Sequence, residues 1–225
     1  MKKVFRKLAL LSVAMLLAFA GCEKDPGSEN DNSNNGGGRA TTGTISGHDY
    51  VDLGLPSGLK WATCNVGATT PEDYGNYYAW GETTTKTEYT DENSTTCGQQ
   101  IGDISGNPTY DAARANWGGT WRMPTRAEQE ELINNCTWTW TTKSGVIGYK
   151  VTSNTNGNSI FLPAAGYRYS TSVYKVGSYA YYWSSSLYQS SPNEAYNLYF
   201  NSDSGYVAWG HSERYFGLTV RAVCP

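Results

Sequence analysis

Histidine occurs only twice in this chain of 225 residues, and no apolar run is long enough to span a bilayer. The first shortage restricts chemistry. His48 and His211 show no His-Glu-x-x-His spacing, and the chain carries neither a Gly-x-Ser-x-Gly elbow nor a phosphate-binding glycine loop. A Cys–His nucleophile needs a base held beside the thiol and an oxyanion hole. Nothing in the sequence sets either histidine beside a cysteine, and both read as surface-loop residues. Basic residues are also scarce. Four of the 17 stand within the first seven positions (Lys2, Lys3, Arg6, Lys7), so the remainder sets 13 basic against 20 acidic residues, a net charge of −7. A nucleic-acid binder displaces counterions with a basic face, and that class is excluded.

The longest apolar stretch, Leu8 to Ala20, follows those four cations. It is short for a spanning helix and suits the core of a signal peptide. It ends in Ala18-Phe19-Ala20-Gly21-Cys22, which resembles a bacterial lipobox with Phe19 where leucine is usual. The resemblance implies a leader over 1–21, cleavage before Cys22 and lipidation of that cysteine; an ordinary signal peptide is the alternative. Two or more acyl chains anchor stably, so the expected partner of Cys22 is a membrane, with no spanning helix required. Residues 22–44 are mostly Glu, Lys, Asp, Ser, Asn and Gly, with nothing apolar to offset the entropy of ordering them. They read as a flexible tether, about 22 residues spanning about 25 Å r.m.s.. The acidic start (Glu23, Asp25) resembles surface-export signals of some gram-negative lipoproteins. That points to the outer membrane with the domain outside the cell, a periplasm-facing placement being the alternative.

Residues 45–225 suit one domain. Four cysteines remain there: Cys64, Cys97, Cys136 and Cys224. An even count in an exported chain favours two disulfides, with three pairings open, each bridge contributing about 2–4 kcal/mol. Their spacing fits no zinc motif. Period-2 alternation predicts half-buried antiparallel strands at 51–55, 149–152, 159–162, 196–201 and 218–222. Pro163 ends the third of these or sets it at an edge, and the turn formers Asn154 to Asn158 join 149–152 and 159–162 as a hairpin. Helix is confined to the middle. Asp111 caps a short turn stopped by Gly118-Gly119. Thr125 stands three residues before Glu128, a capping box, and Glu128, Glu130 and Glu131 lie where the helix dipole favours negative charge. Glu128 and Glu131 share a face, as a catalytic carboxylate pair would, but the polar early helix reads as structural and solvated.

Several segments together resemble one family. They are Gly54-Leu55-Pro56-Ser57-Gly58-Leu59-Lys60-Trp61-Ala62-Thr63-Cys64-Asn65-Val66-Gly67-Ala68, Pro71-Glu72-Asp73-Tyr74-Gly75, Tyr78-Ala79-Trp80-Gly81-Glu82, Trp121-Arg122-Met123-Pro124-Thr125, Phe161-Leu162-Pro163-Ala164-Ala165-Gly166-Tyr167-Arg168 and Tyr182-Trp183-Ser184-Ser185. Their order and wording resemble the Fibrobacter succinogenes major paralogous domain family, found in secreted and lipid-anchored proteins of gut and rumen bacteria. The resemblance implies an α+β, C-type-lectin-like fold: small twisted antiparallel sheets, two short helices and long loops, closed by a last strand over 217–223. It implies no defined molecular role. Calcium-binding lectins of that fold carry Glu-Pro-Asn or Gln-Pro-Asp with Trp-Asn-Asp nearby. Here Ser191-Pro192-Asn193 is a partial echo and Trp-Asn-Asp is missing. A calcium site needs six to eight oxygen ligands, and no metal or other cofactor is expected.

The aromatic load, eight Trp and 18 Tyr against five Phe, is polar-tipped. Trp61, Trp80, Trp121 and Trp183 fall in the family segments and read as core. The tyrosines of 167–188 and the stretch 206–215 are interleaved with Ser, Asn and Gly, like recognition loops; loop packing over a small sheet explains them equally. Tyr169, Tyr174, Tyr179, Tyr188, Tyr206 and Trp209 are the candidate ligand-binding residues. The expected function is a non-catalytic, lipid-anchored cell-surface binding module for a glycan or a surface protein. Two alternatives stand beside it: a relative of the formylglycine-generating enzymes, which share the fold and use paired cysteines with copper, through Cys224; and a structural component of a surface appendage.

Overall fold

The computed structural model describes residues 42–202 and 205–225; the expected leader, Cys22 and the expected tether up to residue 41 lie outside the described residues. The chain begins with three strands, β1 (Thr42–Ile45), β2 (His48–Asp52) and β3 (Lys60–Ala62). After a long loop come two helices, α1 (Ala112–Trp117) and α2 (Arg126–Asn135). The hairpin β4 (Cys136–Lys143) and β5 (Val146–Ser153) leads to β6 (Ser159–Pro163), β7 (Tyr167–Tyr169) and β8 (Ser172–Tyr174). The last strands are β9 (Tyr179–Leu187), β10 (Glu194–Asn201), β11 (Val207–Glu213) and β12 (Val223–Cys224). They form four antiparallel sheets: β1-β2-β3-β12, β4-β5-β6, β7-β8 and β11-β10-β9. The class is α+β, small antiparallel sheets with two short helices. No helix among the described residues is long and apolar enough to cross a membrane.

Both helices start as their capping residues dictate. Asp111 accepts from the Arg114 N–H at 3.0 Å, and its second oxygen takes the Gly106 and Met123 N–H groups at 2.7 and 2.8 Å. Burial nevertheless raises the Asp111 carboxyl above its usual value. Gly118, at φ 65°, ends α1. At α2 the capping box is complete: Thr125 Oγ1 accepts from Glu128 N, and Glu128 Oε2 accepts from Thr125 N at 2.8 Å. Glu128 also takes a bidentate fork from Arg122, at 2.8 and 2.6 Å. Glu131 accepts from the Ser57 backbone N–H and hydroxyl at 2.8 and 2.5 Å, in exposed hydrogen bonds. Both carboxylates thus fasten α2 to its surroundings.

Several elements differ from the sequence expectation. β1 begins inside the expected tether, because Ser46 (φ 49°) and Gly47 (φ 80°) close a two-residue hairpin onto β2. The expected strand 51–55 stops at Asp52, whose carboxylate accepts the Gly54 N–H at 2.7 Å while Gly54 turns at φ 60°. The expected closing strand over 217–223 is regular only at Val223–Cys224. Residues 217–222 are buried and take single bridges in turn: Gly217 with Arg168, Leu218 with Tyr78, Thr219 with Tyr182. Its bridges go to three different segments, so no single partner strand runs alongside it. The stretches 167–188 and 206–215, read as loops, are mostly strand: β7, β8, β9 and β11. His48 and His211 likewise lie in β2 and β11.

Two apolar clusters lie on opposite sides of the β3–β12 ladder. One packs Trp61, Leu132, Tyr149, Leu162, Phe200 and Val223; the other packs Trp80, Trp121, Trp183, Leu218 and Cys224. All four expected core tryptophans are at most 1% exposed. Three satisfy their indole N–H on a backbone carbonyl, Trp80 on Ser184, Trp121 on Ile45 and Trp183 on Tyr78, at 2.8–2.9 Å. Cys64, Cys97, Cys136 and Cys224 stand as free thiols in this structure. They lie in different parts of the domain. Adjacent Val223 and Cys224 alternate sides, so Cys224 faces the second cluster while Cys136 sits in the first. Cys64 lines a surface cleft near β2, and Cys97 lies in the 97–101 loop beside Asn193.

Candidate aromatic binding site

The sheet β9-β10-β11 carries different residues on its two faces, set by strand alternation. One face presents Leu198, Phe200, Tyr182 and Val207 to the first core cluster. The other presents Tyr199 and Asn197 from β10, opposite Tyr181 and Trp183 of β9 and Ala208 and Gly210 of β11.

On this second face the rings form a continuous series. Tyr206 meets Tyr199 (6.4 Å between centroids), Tyr199 meets Tyr179 and Tyr181 (6.0 and 5.1 Å), and Tyr181 meets Tyr167 edge-on (5.4 Å). Tyr167 is sandwiched between Tyr174 and Phe216, each at 5.5 Å and near parallel. Phe216 continues to Tyr169 and Tyr215 (5.4 and 5.1 Å). Such pairs each contribute about 0.5–1.5 kcal/mol beyond the area they bury, so the series is a stiff surface. Beside it opens a cleft of about 250 Å³ lined by Tyr167, Tyr181, His211, Ser212, Phe216 and Leu218. Asn197, 1% exposed, donates to Ser212 Oγ at 2.9 Å, and its Oδ1 has no hydrogen-bond partner among the described residues. The cleft thus joins ring walls to a Ser212 hydroxyl positioned from behind by Asn197. Burial, with the neighbouring tyrosines, pushes the Tyr181 phenol above its usual value, so at neutral pH it is a hydrogen-bonding hydroxyl.

Four of the six candidate residues, Tyr169, Tyr174, Tyr179 and Tyr206, belong to this series. The other two lie apart. Trp209 alternates to the opposite face, where the Arg126 guanidinium of α2 sits 3.9 Å from its ring centre and 4.7 Å from Tyr196. Tyr188 meets Tyr196 at 5.2 Å and stacks on His211 at 4.1 Å, and His211 Nδ1 lies 2.9 Å from Glu194 Oε1. This second group is a small aromatic seam against α2. Tyr167, Tyr181, Tyr199 and Phe216 also belong to the series and are not among the six candidate residues. The alternation in Tyr179-Ala180-Tyr181 would have placed Tyr179 and Tyr181 on one face.

A second cleft, about 310 Å³, is lined by Gly47, His48, Asp49, Thr63, Cys64, Ala68, Thr69 and Trp117. His48 stacks on Trp117 at 3.9 Å, and burial lowers its pKa. Cys64 Sγ has Thr63 Oγ1 as a hydrogen-bonding neighbour, at 3.5 Å. Asp49 accepts from the Thr44 hydroxyl at 2.6 Å. Among the described residues no three of His, Cys, Asp and Glu gather to hold a metal ion.

Residues 130–223 match the profile of a domain family described as a domain of unknown function, DUF8237. The match runs from α2 into β12 and includes the whole aromatic series. No curated protein and no solved structure matches the chain.

Proposed function

We propose that the chain is a non-catalytic binding module with a C-type-lectin-like arrangement. It is held on the outer membrane by lipidated Cys22, and it recognises a glycan or a surface protein through the aromatic series of β7, β8, β9 and β10. One observation carries this reading: a continuous, partly exposed run of tyrosines beside a cleft lined by Tyr167, Tyr181, His211, Ser212 and Phe216, in which Asn197 holds the Ser212 hydroxyl. Rigid aromatics lose little side-chain entropy on binding, and small polar neighbours supply adaptable hydrogen bonds. The Tyr-rich cleft wall suits stacking against a sugar ring or an aromatic side chain. The copper-oxidase alternative gains no support from Cys224, which is fully buried and whose thiol burial pushes up. A reactive cysteine has a lowered pKa and access to its substrate.

The test is a screen of the full chain, carrying Cys22→Ser, against plant, microbial and mucin oligosaccharides and against surface proteins. Any hit is repeated with Tyr169→Ala and Tyr206→Ala, which are 44% and 57% exposed and so tolerate truncation. A loss of about tenfold or more is expected at one of them. Screens without a hit, or hits that ignore both substitutions, would sink the reading.

A further inference from the structure

The exposed apolar side chains concentrate on one short hairpin. Seven large apolar residues of the described chain stand exposed, and four of them are Tyr169, Val173, Tyr174 and Val176, each 42–44% exposed. β8 is the outer strand here. β7 is bridged on its far side by Gly217, and the turn residue Ser170 by Tyr89, whereas among the described residues β8 pairs only with β7. Residues 171–176 are all exposed. The hairpin is nonetheless firmly rooted. Gly166, at φ 64°, lies so close to β8 that a Cβ there would collide with the Tyr174 carbonyl oxygen, and Tyr167 is stacked on both faces. Exposed apolar side chains along and just after β8, on a firmly held hairpin, are a presented surface rather than a loose end.

Its chemistry separates it from the cleft. Val173 and Val176 carry no hydrogen-bonding group and offer no ring to a sugar. From Tyr167 to Tyr179 the chain holds Arg168 and Lys175 and no acidic residue, although acids outnumber bases in the chain as a whole. Arg168 is engaged at the hairpin's base, its Nη2 donating to the Thr171 carbonyl at 3.2 Å and its guanidinium lying 5.2 Å from the Tyr89 ring centre. Lys175 is exposed, its Nζ 5.0 Å from the Tyr179 ring centre. Aliphatic tips, tyrosines with one wet end and an exposed lysine suit the boundary between headgroups and acyl chains, where anionic lipid attracts the cation. We propose that the β7–β8 hairpin docks on a lipid surface bearing anionic headgroups, Val173 and Val176 entering it and Lys175 facing the headgroups. This would orient the domain against a bilayer, with Tyr169 and Tyr174 of the series at the lipid and Tyr181, Tyr199 and Tyr206 left free for a ligand.

The test uses the full chain carrying Cys22→Ser, with phosphatidylethanolamine–phosphatidylglycerol vesicles and with phosphatidylcholine vesicles. Hydrogen exchange should show residues 171–176 protected by the anionic vesicles, which a leader segment entering lipid would not produce. Val173→Thr with Val176→Thr keeps branching at Cβ and so spares the fold; it should lose that protection and weaken partitioning about tenfold or more. Lys175→Asn, which tolerates the left-handed backbone at φ 62°, should weaken binding to the anionic vesicles alone. The proposal is overturned if 171–176 gain no protection, if phosphatidylcholine protects them equally, or if the double threonine variant partitions unchanged. Protection that rises with protein concentration without lipid would also overturn it and assign the hairpin to a second copy of the chain.

Discussion

Replacing Arg221 with Met should cost about 4 kcal/mol of stability. Arg221 is 1% exposed and has no carboxylate partner. Its Nε donates to Asn65 Oδ1 at 2.8 Å, its Nη1 to the Ala62 and Thr63 carbonyls at 3.0 and 2.7 Å, and its Nη2 to the Phe161 carbonyl at 2.9 Å. One planar fork thereby joins the end of β3, the following turn and β6 to the buried 217–222 segment. Burial lowers the Arg221 pKa, since charge is disfavoured there, but four acceptors compensate. Methionine fills similar volume and removes the buried charge, yet strands all four acceptors. At about 1 kcal/mol each, the low end of that penalty, the loss is about 4 kcal/mol, or a Tm fall of about 10 °C in a domain of this size. Arg221→Lys should be no better, because an ammonium cannot span the fork and leaves a buried charge with fewer partners. Urea unfolding followed by tryptophan fluorescence measures this directly. A loss below about 1 kcal/mol for Arg221→Met would refute the reasoning and mean that relief of desolvation outweighs the four bonds.

Three further outcomes follow from the same structure. Thr125→Ala removes half of the capping box and should cost about 1 kcal/mol; an unchanged urea midpoint would count against the cap. Burial alone would raise the Glu128 carboxyl, but the Arg122 fork and the Thr125 N–H prevail and hold it below the ordinary value of 4.5. Its contribution is therefore complete above about pH 5 and lost as pH falls through the lowered value, so Glu128→Gln should flatten the acid side of the stability profile below about pH 5. A profile with the slope of the wild type would remove Glu128 from that role. Gly166→Ala forces a side chain into the Tyr174 carbonyl at positive φ and should cost about 2 kcal/mol or more, with faster amide exchange in the β7–β8 hairpin as the local sign; a neutral effect would show that the close approach is dispensable.

Where the physics was local, the sequence disclosed it. The Thr125–Glu128 box needs only four residues, and the Asn154–Asn158 turn shows in its composition. Gly118 ends α1 because it reaches positive φ. The strands that failed to show did so for identifiable reasons. In β9 both faces are covered, one by the first core cluster and one by other rings, so Tyr179 to Trp183 shows no polar–apolar alternation. The 217–222 segment is apolar enough to read as a strand, but its bridges go to Tyr78, Arg168 and Tyr182, which only the fold brings together. The aromatic site was half legible for the same reason. Tyr169, Tyr174, Tyr179 and Tyr206 were noticed through their polar company. Tyr199 and Phe216 join them only through cross-strand register and the path of the chain after β11. Trp209 shared that polar company, yet it stands one residue out of phase with the exposed tyrosine face.

The account rests on the tyrosine series being a recognition surface rather than ordinary packing. The most direct measurement is NMR of ring-labelled tyrosines in the full Cys22→Ser chain, titrated with the oligosaccharide and surface-protein panel. The account predicts that at least one panel member shifts Tyr181, Tyr199 and Tyr206 together, saturably, and that the shifts weaken when Tyr206 is replaced by Ala. Ring signals that stay fixed across the whole panel, or a saturable ligand that moves only the tyrosines of the opposite face such as Tyr188 and Tyr196, would contradict it.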